Sequence, residues 1–101
     1  MIILATTMSL VNQMSDVWKG LYTWLGEYYA EVHLVTWDIA GNIVFEGQIK
    51  VYLNDGAQVV FFNFDSTIVT IVIEQGPIGE KRDKVDLRDP DSLDRIWEIL
   101  A

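Results

Sequence analysis

The spacing of apolar residues changes from steps of three and four before residue 28 to steps of two between Tyr29 and Glu74. No other feature restricts the fold as much. A helix gathers residues three and four apart on one side, whereas a strand sends successive side chains to opposite sides, so one segment cannot serve both patterns. The long alternating stretch is therefore read as a sheet and the segment before it as a helix. Three turn-forming pairs, Gly41-Asn42, Asp55-Gly56 and Asp65-Ser66, cut the stretch into four strands. Loops this short join neighbouring strands antiparallel, which predicts a meander.

Treating each pair as a two-residue loop sets the register. Leu34 faces Ile49, Val32 faces Val51, Val51 faces Val60, Ile49 faces Phe62, Val60 faces Ile71 and Phe62 faces Val69. Residues opposite one another share a face, so these gather with Phe45, Leu53, Phe64 and Ile73 into one apolar surface. Gly47 falls opposite Phe64, whose ring is expected to cover it. The other face mixes Val35, Trp37, Ile39, Tyr52, Val59 and Phe61 with Glu31, His33, Glu46, Gln48, Lys50 and Asn63. That is too apolar for a solvated sheet face and too polar for a core.

In the first helix Leu10, Val11, Met14, Val17, Trp18, Leu21, Trp24, Leu25 and Tyr28 recur at three- and four-residue steps, with Ser9 as cap and Gly26 as stop. Gly20 inside it suggests close approach of a neighbouring backbone. Ile2–Thr6 reads as a short strand, and Tyr22 as a surface ring near the polar side of the helix. After the sheet, residues 75–84 hold Gly, Pro and charges without periodicity, which predicts a mobile loop. Val85-Asp86-Leu87 is a short fifth strand. Asp89 caps a last helix, Pro90 opens it, and Leu93, Ile96, Trp97 and Leu100 form its buried stripe. The expected fold is α+β: an N-terminal and a C-terminal helix on one face of a four- to five-stranded antiparallel meander, as a single domain over 1–101.

Composition removes several functions. There are no cysteines and one histidine, so thiolate nucleophiles, disulfides, Cys-based metal sites and multi-His relays are excluded by count. A net charge of −8 opposes direct binding to nucleic acid or to an anionic membrane. The N-terminus lacks a basic residue before Lys19, no apolar run reaches membrane-spanning length, and a cytoplasmic location is expected. His33, with Lys50 across from it, reads as a surface histidine rather than a base. Asp89, Asp91 and Asp94 lack the glycine and glutamate of a calcium loop and fit helix capping instead. Asp38, Asp55 and Asp65 suit turns. No catalytic, cofactor-binding or metal-ligating residue is assigned.

The mixed face is the informative surface. It is either closed within the monomer by residues 75–84 or a terminal element, or it is an interface built on Val35, Trp37, Tyr52, Phe61, Lys50 and Gln48. The leading expectation is a small acidic, non-enzymatic interaction module that forms a homodimer or joins a protein partner through this face. An alternative is an acidic inhibitor or immunity-type protein, conceivably phage-encoded, that imitates phosphate and blocks a basic site on a nuclease or other nucleic-acid enzyme. A second alternative is a ligand-binding or enzymatic pocket between sheet and helices using His33 and Glu46. A helix followed by a curved meander resembles the cystatin-like arrangement in topology. Gln58-Val59-Val60 touches one element of that family's inhibitory loop, but Phe62 stands where its glycine is expected, and the segment belongs to a strand.

Overall fold

The computed structural model describes residues 14–101. Helix α1 (Asp16–Tyr28) is followed by β1 (Glu31–Ile39), β2 (Asn42–Leu53), β3 (Gln58–Asp65), β4 (Ile68–Glu74), a 3-10 turn (Gly76–Ile78), β5 (Glu80–Asp86) and helix α2 (Ser92–Leu100). The strands form one antiparallel sheet in the order β1-β2-β3-β4-β5. Both helices pack on the same face, so the α+β meander is as expected, with the full five strands. All twelve residues assigned to the apolar face belong to the core or pack against it, together with Leu21, Leu25 and Ile96 of the helices. Phe62, Ile49, Ile71, Leu21, Leu25 and Ile96 are wholly buried, each contributing about 1.5–3 kcal/mol.

Helix α1 starts at Ser15, which is extended (φ −66°, ψ 161°) and whose Oγ accepts from the Trp18 N–H. The helix is therefore not continuous from Ser9; Ser9 itself and the Ile2–Thr6 strand lie outside the described residues. It also runs through Gly26 to Tyr28, where the Tyr29 N–H closes on the Leu25 carbonyl at 2.9 Å. Gly26 does not adopt the positive φ that a glycine stop uses, so it carries no termination signal. Among the described residues nothing lies within 4 Å of a Cβ built on Gly20, so none of them makes the expected close approach. Trp18 fixes the start of α1 to the sheet: its indole N–H donates to the Ser66 carbonyl at 2.7 Å, and its ring lies 4.4 Å from Phe64 and 6.2 Å from Phe45. Tyr22 is half-buried against the core, not a surface ring.

The β2–β3 register is the expected one, but the other two hairpins differ. In β1–β2, Val32–Val51 and Leu34–Ile49 pair as expected; beyond them the register shifts, and Thr36–Phe45, Trp37–Val44 and Ile39–Asn42 pair instead. The loop is Ala40-Gly41, with φ of 52° and 82°, rather than Gly41-Asn42. Residues 46–48 of β2 absorb the difference as a bulge opposite Val35. Gly47 has φ +87°, a conformation that needs glycine. No atom lies within 4 Å of a Cβ built there, so the expected cover by Phe64 is absent and backbone geometry accounts for the residue. In β3–β4 the pairs are Val60–Ile73 and Phe62–Ile71, two residues from expectation, because the loop is Ser66-Thr67. A slip of two keeps every side chain on its face.

Residues 75–84 are not a loop throughout: Glu80–Asp86 pairs along the whole of β4, from Glu74–Glu80 to Ile68–Asp86. The strand hides in sequence because its charges fall on both faces. Lys81 and Asp83 sit opposite Ile73 and Ile71 on the helix side, 3.8 Å apart. Charges pointing inward on an edge strand oppose pairing with another chain. At the exit from β5, Asp86 accepts from the Arg88 backbone N–H at 3.0 Å and from its guanidinium at 3.1 and 2.8 Å. Helix α2 then starts later than expected. Asp91, not Asp89, is the N-cap, without a side-chain cap bond, while Asp89 supplies the carbonyl that the Ser92 N–H meets at 3.1 Å.

Candidate functional site

The sheet face turned away from the helices carries the expected interface residues in two groups. At its centre Lys50 stands across from His33 on β1 and Phe61 on β3, as alternation requires. Its ammonium lies 5.5 Å from the Phe61 ring and 5.9 Å from Tyr52, while His33 meets Tyr52 edge-on at 5.6 Å. Val72, paired with Phe61 and Arg82, is 5 % exposed, so this face has a small apolar centre of its own. Beside it the Gln48 side-chain amide donates to Asn63 across β2–β3. Stems of long basic side chains pack well over rings while their charged ends reach water.

The second group lies on the β1–β2 hairpin. There β2 extends past its pairing with β3, which begins at Gln48–Asn63, so residues 36–45 form a two-stranded arm. Trp37 and Ile39 share a face of this arm and are 58 % and 59 % exposed, with half-buried Val35 at its base. Trp37 and Tyr52 are not neighbours: Tyr52 pairs with Glu31, and Trp37 lies six positions further along β1, about 20 Å of strand. Glu46 lies in the bulge, on the order of 10 Å along β2 from Lys50 and hence from His33. The structure therefore does not bring His33 and Glu46 together as a catalytic pair.

Apart from Glu46 in the β2 bulge, the acidic residues of this face stand at strand ends. Glu31 opens β1, Asp65 closes β3, Glu74 closes β4, and Glu80 and Asp86 bound β5. Lys50, Arg82 and Lys84 occupy inner positions. Two carboxylates have partners within hydrogen-bond reach, Glu80 with Arg82 at 2.6 Å and Asp86 with Arg88 at 2.8 Å. The Arg88 hydrogen bonds hold the Asp86 carboxyl well below the usual carboxylate range.

A further cluster was hidden from the sequence. Trp24 and Tyr28, one turn apart on α1, meet Trp97 of α2 and Tyr29 just past α1, with centroid separations from 5.2 to 6.4 Å. Trp97 is 48 % exposed, which corrects its place in the buried stripe; Ile96 alone of that stripe is fully buried, and Leu93 and Leu100 are half-buried. Burial pushes the Tyr29 hydroxyl pKa up. An open pocket is lined by Trp24, Tyr28, Trp97 and Asp94. The signal available in the sequence was the four-residue spacing of Trp24 and Tyr28, which puts both rings on one side of a helix.

Among the described residues no group of three or more His, Asp or Glu is placed to hold a metal, and Asp89, Asp91 and Asp94 do not converge. No described helix is long and apolar enough to cross a membrane. The chain matches no family model, no curated protein and no solved structure.

Proposed function

We propose that the protein is a cytoplasmic, non-enzymatic interaction module that pairs with a second copy of itself through the outer sheet face, on its β1 side. The observation that carries this reading is the β1–β2 arm, on which Trp37 and Ile39 stand 58 % and 59 % exposed on one face. A two-stranded ribbon in water is marginal alone, and exposed aromatic and branched residues on it gain most from burial against a partner. The edges of the sheet favour the same side. β5 is protected by charges on both faces, whereas β1 presents Val35, Trp37 and Ile39 along its open edge. A two-fold contact reuses one patch on both copies, and a face with Lys50, Arg82 and Lys84 at inner positions and Glu31, Asp65, Glu74, Glu80 and Asp86 at strand ends can complement itself.

Sedimentation at micromolar concentration tests this. A dimer is expected, and Trp37→Asp should weaken association by about 30-fold or more, as loss of a central aromatic anchor does, with helix content unchanged. A wild-type monomer at that concentration sinks the reading.

A second reading, an acidic protein that blocks a basic site, draws on the helix side, where Asp89, Asp91, Asp94 and Glu98 are all exposed. It requires that affinity for the basic partner fall steeply with salt.

A further inference from the structure

The pocket between the ends of the two helices lies apart from the face assigned to self-association, and its chemistry is different. Trp24 and Tyr28 are neighbours along α1, four residues apart, and Trp97 faces them from α2. The three ring centroids are 5.2, 5.4 and 6.3 Å apart, and the planes meet at 48°, 71° and 80°. These rings therefore do not stack into a closed sandwich. Tilted against one another, they present π faces and edges around one opening, with Tyr29 behind them at 6.4 Å from Trp24 and 6.2 Å from Trp97. Tyr28 and Trp97 keep about half of their surface in water, whereas Phe62 in the core keeps none.

The fourth wall is Asp94, an exposed carboxylate for which no ion pair or hydrogen bond is formed among the described residues. It stands one turn before Trp97, on the same side of α2. Glu27 and Glu98 adjoin Tyr28 and Trp97 in sequence, Arg95 adjoins Asp94, and all three are exposed, in a chain of net charge −8; Asp94 is the one charged group that lines the opening. Aromatic faces around an opening with an unpaired carboxylate complement a cation that is weakly hydrated and bulky. A bare ammonium is held strongly by water; an alkylated one is not, and its methyl groups can lie against the exposed parts of several rings at the opening.

We propose that Trp24, Tyr28, Trp97 and Asp94 form a binding site for an alkylated ammonium group, such as a trimethylammonium head. The head group can belong to a free small molecule or to a methylated lysine side chain, and the site recognises the chemistry the two share. Binding involves no covalent step.

The chain's four tryptophans provide an internal control. In a titration followed by the indole N–H signals in 15N-labelled protein, choline should shift Trp24 and Trp97 saturably, with a dissociation constant on the order of 1 mM. Trp18, bonded to Ser66, and Trp37, on the far arm, should stay in place. The neutral isostere 3,3-dimethylbutanol, equal in shape but without charge, should bind about ten-fold more weakly or not at all. Asp94→Asn should weaken choline about three- to ten-fold, and Tyr28→Ala, at an exposed position, by at least as much. Unmoved Trp18 and Trp37 signals in both variants confirm that they fold. A trimethyl-lysine peptide that binds about ten-fold more tightly than choline assigns the head group to a modified side chain, and equal affinity assigns it to a free small molecule. Either result supports the site. Absence of shifts at Trp24 and Trp97 with both ligands, equal binding of the neutral isostere, or unchanged affinity in both variants overturns it. None of these results depends on whether the protein dimerises through Trp37.

Discussion

The same substitution at two glycines should move stability in opposite directions. Gly20 lies in the exposed interior of α1 and Gly47 in the β2 bulge, and at both no atom lies within 4 Å of an added methyl. Space therefore cannot set the sign. At Gly20 the backbone is ordinary helix, and alanine removes the entropic cost of glycine, worth about 0.8–1 kcal/mol in favour of Gly20→Ala. At Gly47, φ is +87°, where a Cβ crowds the following carbonyl at a cost of about 1–2 kcal/mol, offset in part by the stiffer unfolded chain. The net expectation for Gly47→Ala is a loss of about 1 kcal/mol. The two variants should differ by about 2 kcal/mol, which at typical slopes for a chain of this size separates their urea midpoints by roughly 1 M. Urea unfolding followed by far-UV circular dichroism measures this directly, provided the slopes agree. Shifts of the same sign, or a neutral Gly47→Ala, would refute the bulge and with it the account of why β1–β2 changes register.

Ala40→Asn tests the position of the loop independently. Ala40 has φ 52°, a region asparagine tolerates better than alanine, so the substitution should stabilise by about 0.5–1 kcal/mol in the same assay. A loop at Gly41-Asn42 would put residue 40 in a strand, and no gain would appear. The Asp86–Arg88 pair predicts a pH dependence. The carboxyl is held below its ordinary value when folded, so its contribution is complete above the ordinary carboxylate pKa of about 3.9 and disappears as pH falls through the lower folded value. Asp86→Asn should thus be less stable than the parent at neutral pH, and the gap between their midpoints should close on acidification below about pH 4. A gap that persists unchanged into strong acid contradicts the assignment.

Periodicity made the faces of the sheet legible but not all of its pairings. Alternation states which side a residue takes, and that property survives any slip by an even number of residues. The β3–β4 hairpin slipped by two and every core assignment stood. Register depends on loop geometry, which the sequence signalled ambiguously: Gly41-Asn42 and Ala40-Gly41 are both two-residue loops around the same glycine. The structure takes the second and restores the pairing of Leu34 with Ile49 through Gly47, six residues past the loop. Nothing local to the turn announces that compensation. β5 was obscured for a different reason. An edge strand is stabilised by its partner's hydrogen bonds and protected by charges, so the residues that make Glu80–Asp86 safe at the edge also erase its alternation.

Helix α2 shows why the aromatic pocket could not be read from the sequence. Leu93, Ile96, Trp97 and Leu100 follow a faultless helical stripe, and each residue on such a stripe turns about 100° from the one before it in sequence. A rotation of that size decides whether Ile96 or Trp97 meets the sheet, and the stripe alone contains nothing that fixes it. What fixes it lies in other elements. Leu21, Leu25 and Val85 are buried in the same core cluster as Ile96, and α1 offers Trp24 and Tyr28 to the flank. Once Ile96 fills the core, Trp97 lies at the edge, where it meets Trp24 and Tyr28 of the other helix and Tyr29 just past it. Its partial exposure is thus a consequence of packing, and the neighbouring Asp94 follows from the same rotation, being one turn earlier on that side. A helix start that favours an acidic residue in its first turn therefore sets a carboxylate beside two exposed rings and the half-buried Trp24. The capping preference and the binding chemistry draw on one residue, and the Asp94→Asn variant separates them, because loss of a first-turn charge costs at most about 1 kcal/mol of stability and has no reason to discriminate choline from its uncharged isostere.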